Sequence, residues 1–157
     1  APVQKIQSNV SDAAITVKVN AKFLEDKLLN PFKIGVHTEH GIVSLTGLVD
    51  TDMQYERAIS LARSTNGVND VNVEKLRVKK SQQPLDDVAI TGKVKGLLFS
   101  HGLLIYDDAS VANINVETKD QVVYLSGKVG EAELKSKIIS LVKSVPDVKD
   151  VKYDIRS

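Results

Sequence analysis

The chain of 157 residues carries 42% hydrophobic and 26% charged side chains, the profile of a globular protein of one domain or two small ones. Its 21 basic and 20 acidic residues leave a net charge of +1, without the basic excess of a nucleic-acid binder. There is no cysteine, and the longest apolar runs (Leu103 to Tyr106, Val122 to Leu125) are four residues long. A zinc ribbon, a thiol nucleophile, a disulfide framework, a diacylated N-terminal cysteine and a membrane-spanning segment are therefore excluded on this chain.

In chain order, residues 1–10 read as a loosely ordered lead-in. Ser11 and Asp12 are both plausible N-caps for a helix in which Ile15, Val19 and Phe23 recur at helical spacing. Ile34, Val36 and Thr38 then alternate, Glu39-His40-Gly41 makes a turn, and Val43, Leu45 and Gly47 alternate again, which predicts a β-hairpin. Asp50 and Asp52 open a second helix carrying Ala58, Ile59, Leu61 and Ala62, closed near Asn66-Gly67. Val71 and Val73 start a last strand.

The pattern then repeats. Asp12-Ala13-Ala14-Ile15-Thr16-Val17-Lys18-Val19 returns as Asp87-Val88-Ala89-Ile90-Thr91-Gly92-Lys93-Val94, an offset of 75. Ile42-Val43-Ser44-Leu45-Thr46-Gly47 returns as Val122-Val123-Tyr124-Leu125-Ser126-Gly127, and Val68-Asn69-Asp70-Val71 as Val148-Lys149-Asp150-Val151, both at an offset of 80. The five extra residues fall between Ile105 and Ala112, where Tyr106-Asp107-Asp108-Ala109-Ser110 reads as a longer loop. In the second copy Ile114, Val116, Val123 and Leu125 supply the hairpin. Ile138, Leu141 and Val142 line a helix that stops before Pro146, and Val151, Tyr153 and Ile155 finish the sheet.

Two copies of one module follow, with expected bounds 11–78 and 86–157 and a polar, proline-ended linker at 79–85. The expected class is α+β: two tandem αββαβ modules, each with two helices on one face of a three-stranded mixed sheet. The glycines at the matched strand positions, Gly47 and Gly127, mark a bulge or a close approach of another backbone. A helix crossing the strand end is the expected neighbour, rather than a ligand.

The order of elements, together with the helix from Asp12 to Val19, the strands ending Leu45-Thr46-Gly47 and Leu125-Ser126-Gly127, and the closing Gly67-Val68-Asn69-Asp70-Val71, resembles the BON module of bacterial envelope proteins. The resemblance spans roughly Ser11 to Ile155, doubled, as in the dual-BON branch of that family. It implies a non-enzymatic envelope protein induced by stress that binds phospholipid surfaces or assists other envelope proteins. The lipid-anchored members carry an N-terminal lipidated cysteine that this sequence lacks. A soluble periplasmic form, with a signal peptide removed before Ala1, is the expectation.

Candidate chemistry is sparse. His37 and His40 flank Glu39 at the hairpin turn, but the second copy replaces the pair with Glu117 and Asp120, and a closed metal site needs more ligands. His101 sits near a helix end, where a cation is favoured. Of the adjacent carboxylates, Asp86-Asp87 lies at a predicted helix start, like Glu131 and Glu133, while Glu25-Asp26 and Asp107-Asp108 read as solvated turn or helix-end residues. No convergent nucleophile and base stand out, so neither catalytic residues, a metal site nor a cofactor is expected.

The informative surface is the first helix of each copy. On a helical wheel Ile90, Val94, Leu97, Leu98 and His101 face the sheet, while Gly92, Gly96 and Phe99 lie opposite. Their matches in the first copy are Val17, Ala21 and Leu24. A helix apolar on two sides is buried on both or has a partner. One expectation is that Val17, Ala21 and Leu24 pack against Gly92, Gly96 and Phe99 and join the modules. For the second copy the favoured expectation is a contact with an anionic phospholipid surface. There Phe99, Leu103 and Leu104 insert beside Gly96, flanked by Lys93 and Lys95, in a stretch without acidic residues. The family resemblance assigns that job to the same helix. Each lysine near such a surface adds only about 1 kcal/mol, so insertion has to supply the rest. The alternative is a periplasmic chaperone or adaptor that binds other envelope proteins through sheet edges and hairpin turns. A third reading is an interaction module within a larger secreted or host-directed assembly.

Overall fold

A computed structural model describes residues 10–105 and 113–157. The longer loop expected at Tyr106 to Ser110 and the lead-in up to Asn9 lie outside the described residues. Ser11 caps the first helix, α1 (Asp12–Glu25), its hydroxyl accepting the Ala14 N–H at 3.1 Å. Strands β1 (Gly35–Glu39) and β2 (Ile42–Thr51) form the antiparallel hairpin. Thr51 then caps α2 (Asp52–Arg63) in a capping box: its hydroxyl accepts from Gln54 N–H, and Gln54 Oε1 accepts the Thr51 N–H at 3.0 Å. Strand β3 (Asp70–Lys80) returns parallel to β2, so the sheet order is β1-β2-β3.

The second repeat follows the same plan, with α3 (Leu85–Ser100), β4 (Ile114–Lys119), β5 (Val122–Lys128), α4 (Ala132–Lys143) and β6 (Asp150–Arg156). Its sheet runs β4-β5-β6, antiparallel then parallel. The αββαβ order, doubled, is as the sequence implies. Because β3 continues through Lys80 and α3 begins at Leu85, the connection between repeats is Ser81 to Pro84.

Strand alternation sends Val43, Leu45 and Val49 of β2 onto the face covered by Ile15, Val19 and Phe23 of α1 and Ala58, Ile59 and Ala62 of α2. The one extra residue in β3 between Asn72 and Lys75 brings both Val71 and Leu76 to that face. A second core gathers Ile90, Val94, Leu97 and Leu98 of α3 with Val123, Leu125, Ile138 and Val142. Helix α3 belongs to both cores, since Val88 and Ala89, with Leu85 beside them, pack into the first. From Asp87 to Leu98 only Lys95 escapes full burial.

Gly47 and Gly127 have φ of +130° and +139°, a region that favours glycine. The neighbour at each is the backbone entering the adjacent strand, not a helix crossing above. A Cβ on Gly47 would lie 2.7 Å from the Lys33 carbonyl oxygen, and one on Gly127 would meet that of Asn113. The backbone leading into the hairpin's first strand therefore demands the glycine.

Candidate functional site

Two features unite each repeat from the residues upward. The Asp12 carboxylate accepts N–H bonds from His40 at 2.9 Å and Gly41 at 3.0 Å, so the start of α1 grips the β1–β2 turn. In the second copy Asp87, buried at 6% exposure, accepts from Asp120 and Gln121, each at 2.9 Å. One helical turn on, Thr16 donates to Thr38 and Thr91 to Thr118, both at 2.8 Å between hydroxyl oxygens. Offsets of 75 on the helix and 80 on the hairpin relate the two sets, the same offsets that define the repeat. The sequence marks Asp12 as a cap and Asp87 as a dipole partner. The signal that identifies their turn contacts is the recurrence of Asp and Thr four residues apart in both copies.

The histidines do not form a metal centre among the described residues. His37 and Glu39 are exposed, with Nε2 3.8 Å from Oε2, and His40 occupies the turn at φ 53°. The ring of His101 folds back on its helix, Nδ1 lying 3.0 Å from the Leu97 carbonyl oxygen. Asp26, read from sequence as solvated, is instead enclosed: it takes Nε and Nη2 of Arg57 at 2.8 and 2.7 Å and the Leu28 N–H at 3.0 Å.

The outer side of α3 is where sequence and structure part most clearly. Gly92 and Gly96 do face a helix of the first copy, but that helix is α2, not α1. A Cβ on Gly92 would lie 2.9 Å from the Glu56 carbonyl oxygen, and one on Gly96 would lie 2.6 Å from that of Ser60. The partners expected from sequence, Val17 and Leu24, stand at 68% and 72% exposure on α1.

Of the residues expected to meet lipid, Gly96 is thus sealed under α2, and Lys93 is buried. Its ammonium reaches Asp70 of the first repeat at 3.2 Å and Asp147 of the second at 3.4 Å. Lys95 pairs with Glu56 of α2 at 3.0 Å. Leu103 and Leu104 turn inward to the second core. Phe99 alone stands free, at 54% exposure, with Ile105 beyond it at 57%. The expected exposure fails for a physical reason: α2 needs cover for Ile59, and glycine spacing on α3 gives that cover at close range.

One concavity of the fold carries no sequence motif. It runs between β3 and α3, and its lining includes Tyr55, Leu76, Leu85, Asp86, Ala89 and Lys93. The Tyr55 phenol is pushed up to about 12 by burial and, secondarily, by the nearby Asp86 charge.

The BON domain model matches residues 11–80 and 86–156. Osmotically-inducible protein Y of Escherichia coli K12 is 31% identical over 99% of this chain and 77% of its own length. An uncharacterized protein of Anaplasma centrale is 28% identical over 90% of this chain and 91% of its own. Among solved structures, the C-terminal domain of CdsD, a structural protein of the Chlamydia trachomatis type III secretion system, aligns with 94% of this chain and 67% of its own, at 15% identity and a TM-score of 0.37. With two matched modules covering nearly its whole length, the chain belongs to the BON-domain family, as a dual-BON member like osmotically-inducible protein Y.

Proposed function

We propose that this chain is a non-enzymatic stress protein of the bacterial envelope that acts as a two-module adaptor for other envelope proteins. The carrying observation is the use to which α3 is put. Its glycines and both of its lysines are spent on joining the repeats, which leaves sheet edges and turns as the principal surfaces for partners. Stress induction is taken from the likeness to an osmotically inducible protein. The envelope location rests on the family resemblance together with a cysteine-free chain. No helix among the described residues is long and apolar enough to cross a membrane.

The second reading, attachment to anionic phospholipid through the second module, is favoured by one observation: Phe99 and Ile105 are exposed near the end of α3. Two assays, read together, separate these readings. A β-barrel envelope protein unfolded in urea is diluted into buffer, with and without the chain, and light scattering is followed in the absence of lipid. The adaptor reading expects suppressed scattering, retained by the Phe99→Asp, Ile105→Asp double variant. Unsuppressed scattering, together with liposome flotation that this variant abolishes, overturns it in favour of the lipid surface. Lys93 is kept in both arms because it ties the modules together.

A further inference from the structure

Resting on the adaptor reading, we propose that the free edge of β3 accepts a fourth strand, an extended and basic segment of a partner protein. Strand β3 is eleven residues long and ends its sheet. An edge strand is a template on which an extended chain adds by main-chain bonds while alternate side chains enter pockets. Here the Val71 and Glu74 N–H groups donate to the Asp70 and Asn72 side chains at 2.8 and 3.0 Å, and an added strand displaces those two local bonds. The groove beside it has a volume of about 590 Å³. It is lined by the unbroken run Asp70 to Glu74, so it follows the edge of the strand rather than one face.

The opposite wall is α3. Half-buried Leu85 is the apolar side chain it offers to an added strand, with Ala89 and Ile90 buried behind it. That wall exists because the second repeat docks on the first; β6, the counterpart of β3, has no such helix beside it among the described residues. A bulge sets Val73 and Glu74 together opposite Leu45, between the pairs Ser44 with Asn72 and Thr46 with Lys75. It interrupts the ladder and confines the regular stretch ahead of it to Asp70 through Asn72, so side-chain contacts must contribute.

Charge selects the occupant. Asp70, Glu74, Asp86 and Asp147 line the groove against a single cation, Lys93, already shared between Asp70 and Asp147. Glu74 and Asp86 have no ion-pair partner among the described residues. A lysine- or arginine-bearing strand neutralises them, whereas an acidic one is repelled.

The test is an NMR titration of the isotope-labelled chain with a short capped peptide alternating lysine with valine and threonine. Amide shifts are expected along Asp70 to Leu76 and Leu85 to Ile90. Replacing the peptide's lysines by glutamate abolishes them, and Glu74→Lys with Asp86→Lys weakens binding about ten-fold or more. Both substituted residues are exposed, so an otherwise superimposable spectrum verifies the fold. Shifts at β1, β4 or β6 instead, or undiminished binding by the variant, overturn the proposal. If that variant still suppresses client aggregation, the groove falls while the adaptor reading stands. If the peptide seats in the groove but no client is protected, the reverse holds.

Discussion

At the scale of single residues, the helix-to-turn grip is the element of design that both repeats keep. A carboxylate receiving two backbone N–H groups is held in its charged form, and Asp12 accordingly titrates below its ordinary 3.8. The bonds from Gly41 and His40 are the main cause. Since the unfolded chain then binds protons more readily than the folded one, the stability Asp12 contributes is complete above the ordinary carboxylate range. It drains away as pH falls through the folded value. Asp12→Asn should therefore lie below wild type in urea midpoint at pH 7, with the gap closing in acid. At the buried counterpart, Asp87→Ala strands the Asp120 and Gln121 N–H groups, and a loss of about 2 kcal/mol is expected from charge-assisted bonds of this kind. Equal urea midpoints for Asp87→Ala and wild type at neutral pH would show that the turn holds itself.

At the scale of elements, α1 and α3 are the same helix put to different uses. Ala21 is exposed on α1, and its match on α3, Gly96, is buried against α2. Glycine costs about 1 kcal/mol relative to alanine in an open helix, so Ala21→Gly should destabilise by that amount. Gly96→Ala gains the same propensity, yet its methyl meets the Ser60 carbonyl oxygen at 2.6 Å and the Arg63 Cβ at 2.7 Å. Overpacking of this sort costs roughly 1–3 kcal/mol, so a net loss of about 1 kcal/mol is expected here too. Urea denaturation of the two variants checks the pair, and a stabilised Gly96→Ala would mean that the helices stand further apart. The doubled fold is legible in the sequence because periodicity and offset are local signals, as with Ile15, Val19 and Phe23 or the matched Gly47 and Gly127. The partner of Gly92 and Gly96 is not, because a helix wheel shows that a face is covered without showing by what. For the same reason Lys93 and Lys95 read as a membrane-facing pair: their carboxylates, Asp70, Asp147 and Glu56, lie 23 or more positions away in sequence.

At the scale of the whole molecule, the sharing of α3 between two cores decides how the chain unfolds. A module of about 70 residues sits near the size at which one hydrophobic core is marginal. Here the first core counts Val88 and Ala89 among its buried residues, and the second counts Ile90 and Val94 of the same helix. Lys93 adds a polar tie, drawing Asp70 from one repeat and Asp147 from the other to a single buried ammonium. Unravelling α3 when the second module melts strips the first of its cover over α2, so neither repeat loses structure alone. Ile138→Ala removes a side chain with 0% exposure from the second core, at a cost of about 2–5 kcal/mol. If the repeats form one cooperative unit, NMR signals of Val43 and Ile59 in the first module should vanish at the same lowered urea concentration as those of Val123 and Val142. Independent modules would leave Val43 and Ile59 at their original midpoint, and the groove beside β3, which borrows its wall from α3, would then open whenever the second repeat unfolds.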